Sequence, residues 1–298
     1  MAQRLDAFKQ RLASGEVLLG DGAWGTQMQA LGLDYDACPE EWNVTQPDKV
    51  KEIARSYLQA GAAFCLTNTF GANKYRLTNY GFADRVREFN AAGMGLSRQV
   101  ADDFGALAFG NVGPTGEFVE PEGMLKQREM YDAFHEQMAA LKDAGADAIS
   151  IETMYALDEV LLAVKAARDL GMFCLASLTY DSTPQGFSTM QGTTVEEATR
   201  ALDAAGADVV GTNCGNGIAQ LAAIVRLMRP LTQKPILARP NAGLPEKAGT
   251  QFVYRETPEL MAASVRDLHA AGVSIIGGCC GTTPEHIRAL REAIDKLR

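Results

Sequence analysis

Four helix-length amphipathic stretches of this chain end at the same tag, a glycine between small residues, and each tag runs straight into a short β-rich segment. The tags are Ala60-Gly61-Ala62, Ala144-Gly145-Ala146, Ala205-Gly206-Ala207 and Ala271-Gly272-Val273. Glycine just past a helix takes the left-handed conformation that ends it, so a helix-to-strand unit is repeating. The β-rich runs number eight, at 16–23, 63–70, 106–113, 147–153, 172–180, 208–214, 235–241 and 273–278, and the tags precede every second one. Helical periodicity covers 47–60, 84–103, 128–144, 157–170, 195–205, 217–228 and 258–271, and Pro284 suits the first turn of a last helix. Eight such units predict an α/β chain closed as a parallel (β/α)8 TIM barrel, one domain over residues 1–298, because no linker divides them. A doubly wound open sheet is the alternative, since alternation alone does not establish closure.

Composition narrows the function classes. A 47% hydrophobic content is enough to fill such a core, and a net charge of −9 with 28 scattered basic residues argues against nucleic acid or an anionic membrane as partner. No apolar run reaches the roughly 18 residues of a membrane helix, and the first twelve residues interleave charges where a signal peptide would be apolar. Six cysteines without a disulfide-scaffold composition indicate a reducing compartment, and a cytoplasmic protein is expected.

The cysteines carry the sharpest chemical signal. Cys279 and Cys280 stand together in Gly277-Gly278-Cys279-Cys280-Gly281, and Cys214 closes another apolar run in Gly211-Thr212-Asn213-Cys214-Gly215. Neighbours on a regular strand face opposite ways, so Cys279 and Cys280 share one metal only if the backbone leaves the strand there, which the glycines permit. Three thiolates then suggest one Zn²⁺ with its fourth position open, as in catalytic sites. Such an ion is a weak Lewis acid toward carbonyls and a good holder of another thiolate, so the expected cargo is a thiol. A redox pair is the other functional reading of Cys279 and Cys280, but a bridge between adjacent residues is strained and leaves Cys214 idle. Cys65 and Cys174 lie inside apolar runs and read as core packing, and Cys38 stays open.

In a barrel the site gathers at the C-terminal strand ends. Polar side chains stand there: Asp21 with Gly22, Thr67 to Thr69, Asn111, Thr115, Glu152, Thr153, Thr179, Asn213 and Asn241. Thr115, Thr153 and Thr179 read as caps or turn residues. Asp21 and Glu152 come directly off buried strands, and uncompensated burial is costly, so each needs a cationic partner; a substrate amino group would supply one. The glycines of Asp21-Gly22-Ala23-Trp24-Gly25-Thr26 offer backbone N–H groups to a carboxylate, and Gly277-Gly278 could hold a phosphate, although the adjoining cysteines favour metal.

With these residues in place the chain resembles the homocysteine S-methyltransferase family over nearly its whole length. The resemblance rests on Asp21-Gly22-Ala23-Trp24-Gly25-Thr26, Pro39-Glu40-Glu41-Trp42-Asn43, Thr67-Asn68-Thr69-Phe70-Gly71-Ala72-Asn73, Asn111-Val112-Gly113-Pro114-Thr115-Gly116, Ile151-Glu152-Thr153, Asn213-Cys214, Pro240-Asn241-Ala242-Gly243 and Gly277-Gly278-Cys279-Cys280-Gly281-Thr282-Thr283-Pro284-Glu285-His286. It implies Zn²⁺ on Cys214, Cys279 and Cys280 as the catalytic ligands, and homocysteine as methyl acceptor with its sulfur the fourth ligand. It further implies that Asp21, Thr69 and Glu152 fix the amino acid end, and that Asn241 fills the open position before substrate arrives. The variants Thr67-Asn68-Thr69-Phe70 and Gly281-Thr282-Thr283-Pro284 resemble the cobalamin-dependent branch, implying methylcobalamin on a separate corrinoid protein as donor. Betaine or S-methylmethionine is the alternative donor, and a non-catalytic zinc-stabilised subunit that docks a corrinoid protein the alternative role. The chain departs from the family's pattern at Arg239 and at Ser188-Thr189-Met190-Gln191-Gly192, both expected near the approach of the methyl donor.

Overall fold

A computed structural model gives the architecture; it describes residues 2–215, 217–248 and 251–297. Eight parallel strands form the centre: β1 (Leu18–Leu19), β2 (Phe64–Leu66), β3 (Leu107–Val112), β4 (Ala148–Met154), β5 (Cys174–Leu178), β6 (Val209–Asn213), β7 (Ile236–Arg239) and β8 (Ile275–Ile276). Each expected strand is present, and their order around the sheet is β1-β8-β7-β6-β5-β4-β3-β2. Sequence neighbours are therefore spatial neighbours, and the seam between β1 and β2 is drawn shut by Ala63 N–H on the Leu19 carbonyl at 2.7 Å. The sheet is a nearly closed (β/α)8 barrel, and the doubly wound alternative falls.

The glycine tags act as expected. Gly61, Gly145, Gly206 and Gly272 all have positive φ, between 84° and 99°, and Gly105 and Gly171 do the same ahead of β3 and β5. With Gly15 at +82° ahead of β1, seven of the strands thus follow a left-handed glycine, which returns the chain from helix to barrel within two residues. The strands are buried on both faces, as helix-covered parallel strands must be, and β3 is buried at all six positions.

Three features differ from expectation. The stretch 258–271 is two helices, Pro258–Ala263 and Val265–Ala270, parted at Ser264, whose hydroxyl bonds the Leu260 carbonyl and competes with the helical ladder. Two antiparallel hairpins leave the barrel after β5, pairing Asp181–Thr183 with Gly186–Ser188, and after β7, pairing Glu246–Ala248 with Gln251–Val253. An extra helix, Ala2–Ala13, covers the end of the barrel opposite the expected site. Its Phe8 meets the rings of Phe64, Phe109 and Phe173 edge-on at 5.5–6.5 Å, and burying such a ring contributes about 2–3 kcal/mol. Among the described residues no helix is long and apolar enough to cross a membrane.

Candidate metal centre

The three cysteines meet. The sulfurs of Cys214, Cys279 and Cys280 lie within 4.8 Å of one another. Each reaches that point because the backbone abandons strand geometry at the end of β6 or β8. Cys214 still makes a ladder bond, N–H to the Arg239 carbonyl at 3.0 Å, but its own φ is +62° and that of Gly215 is +67°. A left-handed cysteine costs roughly 1–2 kcal/mol, a strain typical of functional positions. At the end of β8 the Cys279 carbonyl accepts both the N–H and the hydroxyl of Thr282, at 3.1 and 2.8 Å, closing a turn with Gly281 at φ +81°. Inside that turn adjacent side chains no longer alternate, and Cys279 and Cys280 converge.

The sulfurs form part of the wall of a cavity of about 330 Å³, shared with Trp24, Met28, Phe70, Arg76, Asn111, Glu152 and Arg239. Thr153, read as a cap, also lines it, with φ +61°. That strain is held by Asn213, whose side chain accepts from Thr153 N–H and donates to the Thr153 hydroxyl, both at 2.7 Å. The same Asn213 amide donates to the Cys279 sulfur at 3.8 Å. The Cys279 thiol is held well above its usual range, first by its hydrogen bond to Cys214, which outweighs the one to Cys280, and then by burial.

Arg239 corrects one expectation. It lines the same cavity as the cysteines, is 2% exposed and lies across the barrel interior. Its guanidinium donates to Asp21 Oδ1 at 2.7 Å, to Glu152 Oε2 at 2.9 Å and to the Gly278 carbonyl at 3.1 Å. The cationic partner that Asp21 and Glu152 require is thus within the protein. Asp21 is saturated further, its Oδ2 taking the Leu66 N–H at 2.7 Å and the Trp24 indole at 2.9 Å. Glu152 faces the cavity, and burial, opposed by Arg239, raises its pKa. One guanidinium against two carboxylates leaves this triad one negative charge.

Of the two glycine cradles, the Gly277-Gly278 pair is used internally. Gly277 and Gly278 donate their N–H groups to the carbonyls of Ala238 and Asp21, so neither is free for a phosphate. Gly22 lines the cavity, but a side chain there would strike the Tyr57 ring, and the next N–H, of Ala23, is taken by the Thr282 hydroxyl at 3.0 Å. Thr69 is fully buried; its hydroxyl pairs with Thr67 and bonds the Asn111 carbonyl at 2.8 Å, bracing the wall between β2 and β3. Asn241 sits between two backbone bonds, Cys279 N–H to Pro240 and Ala242 N–H to Cys280, and its buried Oδ1 has no hydrogen-bond partner. Cys65 and Cys174 are fully buried in the core, and Cys38 donates to buried Glu40 at 3.4 Å.

The family described as homocysteine S-methyltransferase matches the chain over residues 18–294. This chain belongs to the homocysteine S-methyltransferase family. Methionine synthases of Mycobacterium tuberculosis and Mycobacterium leprae are each 34% identical to it, over 99% and 93% of the chain. The chain spans about a quarter of the length of those relatives, 25% and 24%. The homocysteine methyltransferase MmuM from Escherichia coli in its metallated form superimposes with a TM-score of 0.77 at 23% identity, covering 93% of this chain and 96% of that one. Its fold is the fold seen here.

The donor set fits the metal that this family implies. Tetrahedral Zn–S bonds of about 2.3 Å place sulfurs about 3.8 Å apart, within the spread of the three here. Thiols bind such a cation as thiolates, so its uptake here would release protons. Sequence alone assigns Trp24 no role of its own, places Asn213 only among the polar strand-end side chains, and marks Arg239 only as a departure from the family's pattern. For Arg239 a signal existed: a basic residue ending one buried strand, with unpaired acids ending two others.

Proposed function

We propose that this protein transfers a methyl group to the sulfur of homocysteine, giving methionine. The observation that carries the reading is the convergence of Cys214, Cys279 and Cys280 on a cavity that also exposes the under-neutralised carboxylate of Glu152. Zn²⁺ on those three cysteines would supply a Lewis acid that keeps the acceptor sulfur deprotonated at neutral pH, where a thiol of pKa about 8.5 is mostly protonated. Glu152 takes the substrate ammonium, using the negative charge that Arg239 leaves unbalanced. Asp21 contributes through Arg239, whose orientation it sets, and not by touching the substrate. Trp24, Met28 and Phe70 give the cavity an apolar lining that keeps water from the reacting sulfur. Asn241 Oδ1, buried and unpartnered, is the group available to the open coordination position before substrate enters.

A methylated corrinoid protein is the donor this reading favours. Exposed large apolar side chains occur on segments that follow the strands, among them Tyr35, Tyr80, Met124, Met190, Leu244 and Phe252, at the end of the barrel that carries the cavity. Apolar side chains around a site mouth suit a macromolecular partner better than a small solute. Purified protein with homocysteine should form methionine when a methylated corrinoid, free or protein-bound, is added. Efficient turnover with betaine or S-methylmethionine alone would overturn the donor, and no methionine from any donor would overturn the reaction.

A further inference from the structure

The three loops that bear Cys214, Asn241 and the Cys279-Cys280 pair come from different strands, yet one short segment touches all of them. This is 254–257, the return from the hairpin after β7. The backbone N–H of Glu256 donates to the Ala242 carbonyl at 2.9 Å, one residue past Asn241. Its carboxylate accepts the N–H of Ile218 at 3.3 Å, at the start of the helix that follows Cys214. Its carbonyl meets His286 Nε2 at 2.9 Å. Nδ1 of that histidine accepts the Thr283 N–H at 3.1 Å, which makes Nε2 the protonated nitrogen and the donor to Glu256. Tyr254 lies against Gly281, the residue next to Cys280.

Each loop is also cut back where the segment crosses it. A side chain at Gly217 would run into the Glu256 carboxylate, one at Gly281 into the Tyr254 ring, and one at Gly243 would come within 3.1 Å of Glu256 Cγ.

We propose that residues 254–257 are a strap that fixes the relative positions of the cysteine-bearing loops, with Glu256 and His286 as its positioning residues. The inference rests on the zinc reading of the three cysteines. Three ligands divided between two loops hold a metal tightly only if the loops are already in register, because the alternative is to order them at the moment of binding. Glu256 ties the Cys214 and Asn241 loops together, and His286 ties both to the turn of Cys279 and Cys280.

The test is the rate at which zinc passes from the purified protein to a chromophoric chelator, read beside thermal stability. Glu256→Ala and His286→Ala should release zinc about ten- to a hundredfold faster than wild type, while Glu256→Gln, which can still accept from Ile218, should stay near it. Gly217→Ala, a position with ordinary φ of −73°, should also speed release by displacing the Glu256 carboxylate. Glu256 is half-buried on a surface segment, so its loss does not threaten the barrel. Cys174→Ala, a core change away from the strap, should lower stability without altering release. Wild-type protein that binds zinc, with release unchanged in Glu256→Ala and Gly217→Ala, would overturn the strap alone; wild-type protein that binds none would remove the metal reading beneath it.

Discussion

Arg239 Nη1 lies 2.9 Å from Glu152 Oε2 in the barrel interior, with both side chains more than nine-tenths buried. The pair, extended to Asp21 on the other arm of the guanidinium, ties the ends of β1, β4 and β7 into one charged layer beneath the cysteines. Breaking a buried pair leaves uncompensated charge, which costs far more than the pair itself contributes. Arg239→Met should therefore lose about 3–5 kcal/mol of stability, measured by denaturant unfolding, and Arg239→Lys should lose part of that because a lysine cannot fork between two carboxylates. Unfolding of Arg239→Met at the wild-type midpoint would show that the triad is not buried as described.

Glu152→Gln should weaken homocysteine binding more than it slows methyl transfer. The amide keeps an acceptor for Arg239 but removes the negative charge assigned to the substrate ammonium. Losing a charged hydrogen bond costs about 1.5–3 kcal/mol, roughly ten- to a hundredfold in affinity. Calorimetric titration of both proteins measures it, and unchanged affinity with collapsed turnover would place Glu152 in the chemistry instead.

Much of the barrel was legible in the chain because it is written locally. A glycine that must be left-handed, such as Gly206, leaves its mark at the position where the backbone needs it, and the paired cysteines between Gly278 and Gly281 announce a strand that stops. Arg239 was not legible as a partner of Glu152, because 87 residues separate them and only closure of the sheet brings β4 and β7 to a common interior. The hairpin after β5 was hidden for another reason. Thr183-Pro184-Gln185-Gly186 carries a turn signal, but its strands are three residues long with none of their residues fully buried, so they lack the apolar alternation that betrays a strand.

Glu159 predicts a pH dependence away from the metal centre. Its Oε1 accepts the N–H and hydroxyl of Thr115 at 2.7 and 2.6 Å, its Oε2 has no partner, and burial lifts its pKa to about 7. A carboxyl whose folded pKa is raised favours the fold while protonated, and that contribution is lost as pH climbs from the ordinary glutamate value through 7. Glu159→Gln, which keeps the Thr115 acceptor without the charge, should gain on wild type as pH rises from 5 to 8, by up to about 2–3 kcal/mol. Melting temperatures at the two pH values check this; a gap that does not widen refutes it.

Cys174→Ala should cost about 1 kcal/mol of core packing and leave turnover near wild type, since Cys174 is fully buried within β5. Cys280→Ala should do the reverse, abolishing methyl transfer with the barrel still folded. Circular dichroism and methionine formation, measured on both variants, separate the two roles, and comparable activity in Cys280→Ala and wild type would reject a role for the cluster.

The zinc content of protein purified without chelators bears most directly on the cysteine cluster. About one zinc per chain is expected in wild type and in Cys174→Ala, and little or none in Cys280→Ala, because Cys214, Cys279 and Cys280 are the one group of at least three potential metal ligands that converges among the described residues. Wild-type protein free of zinc, with Cys279 in a disulfide, would contradict the account.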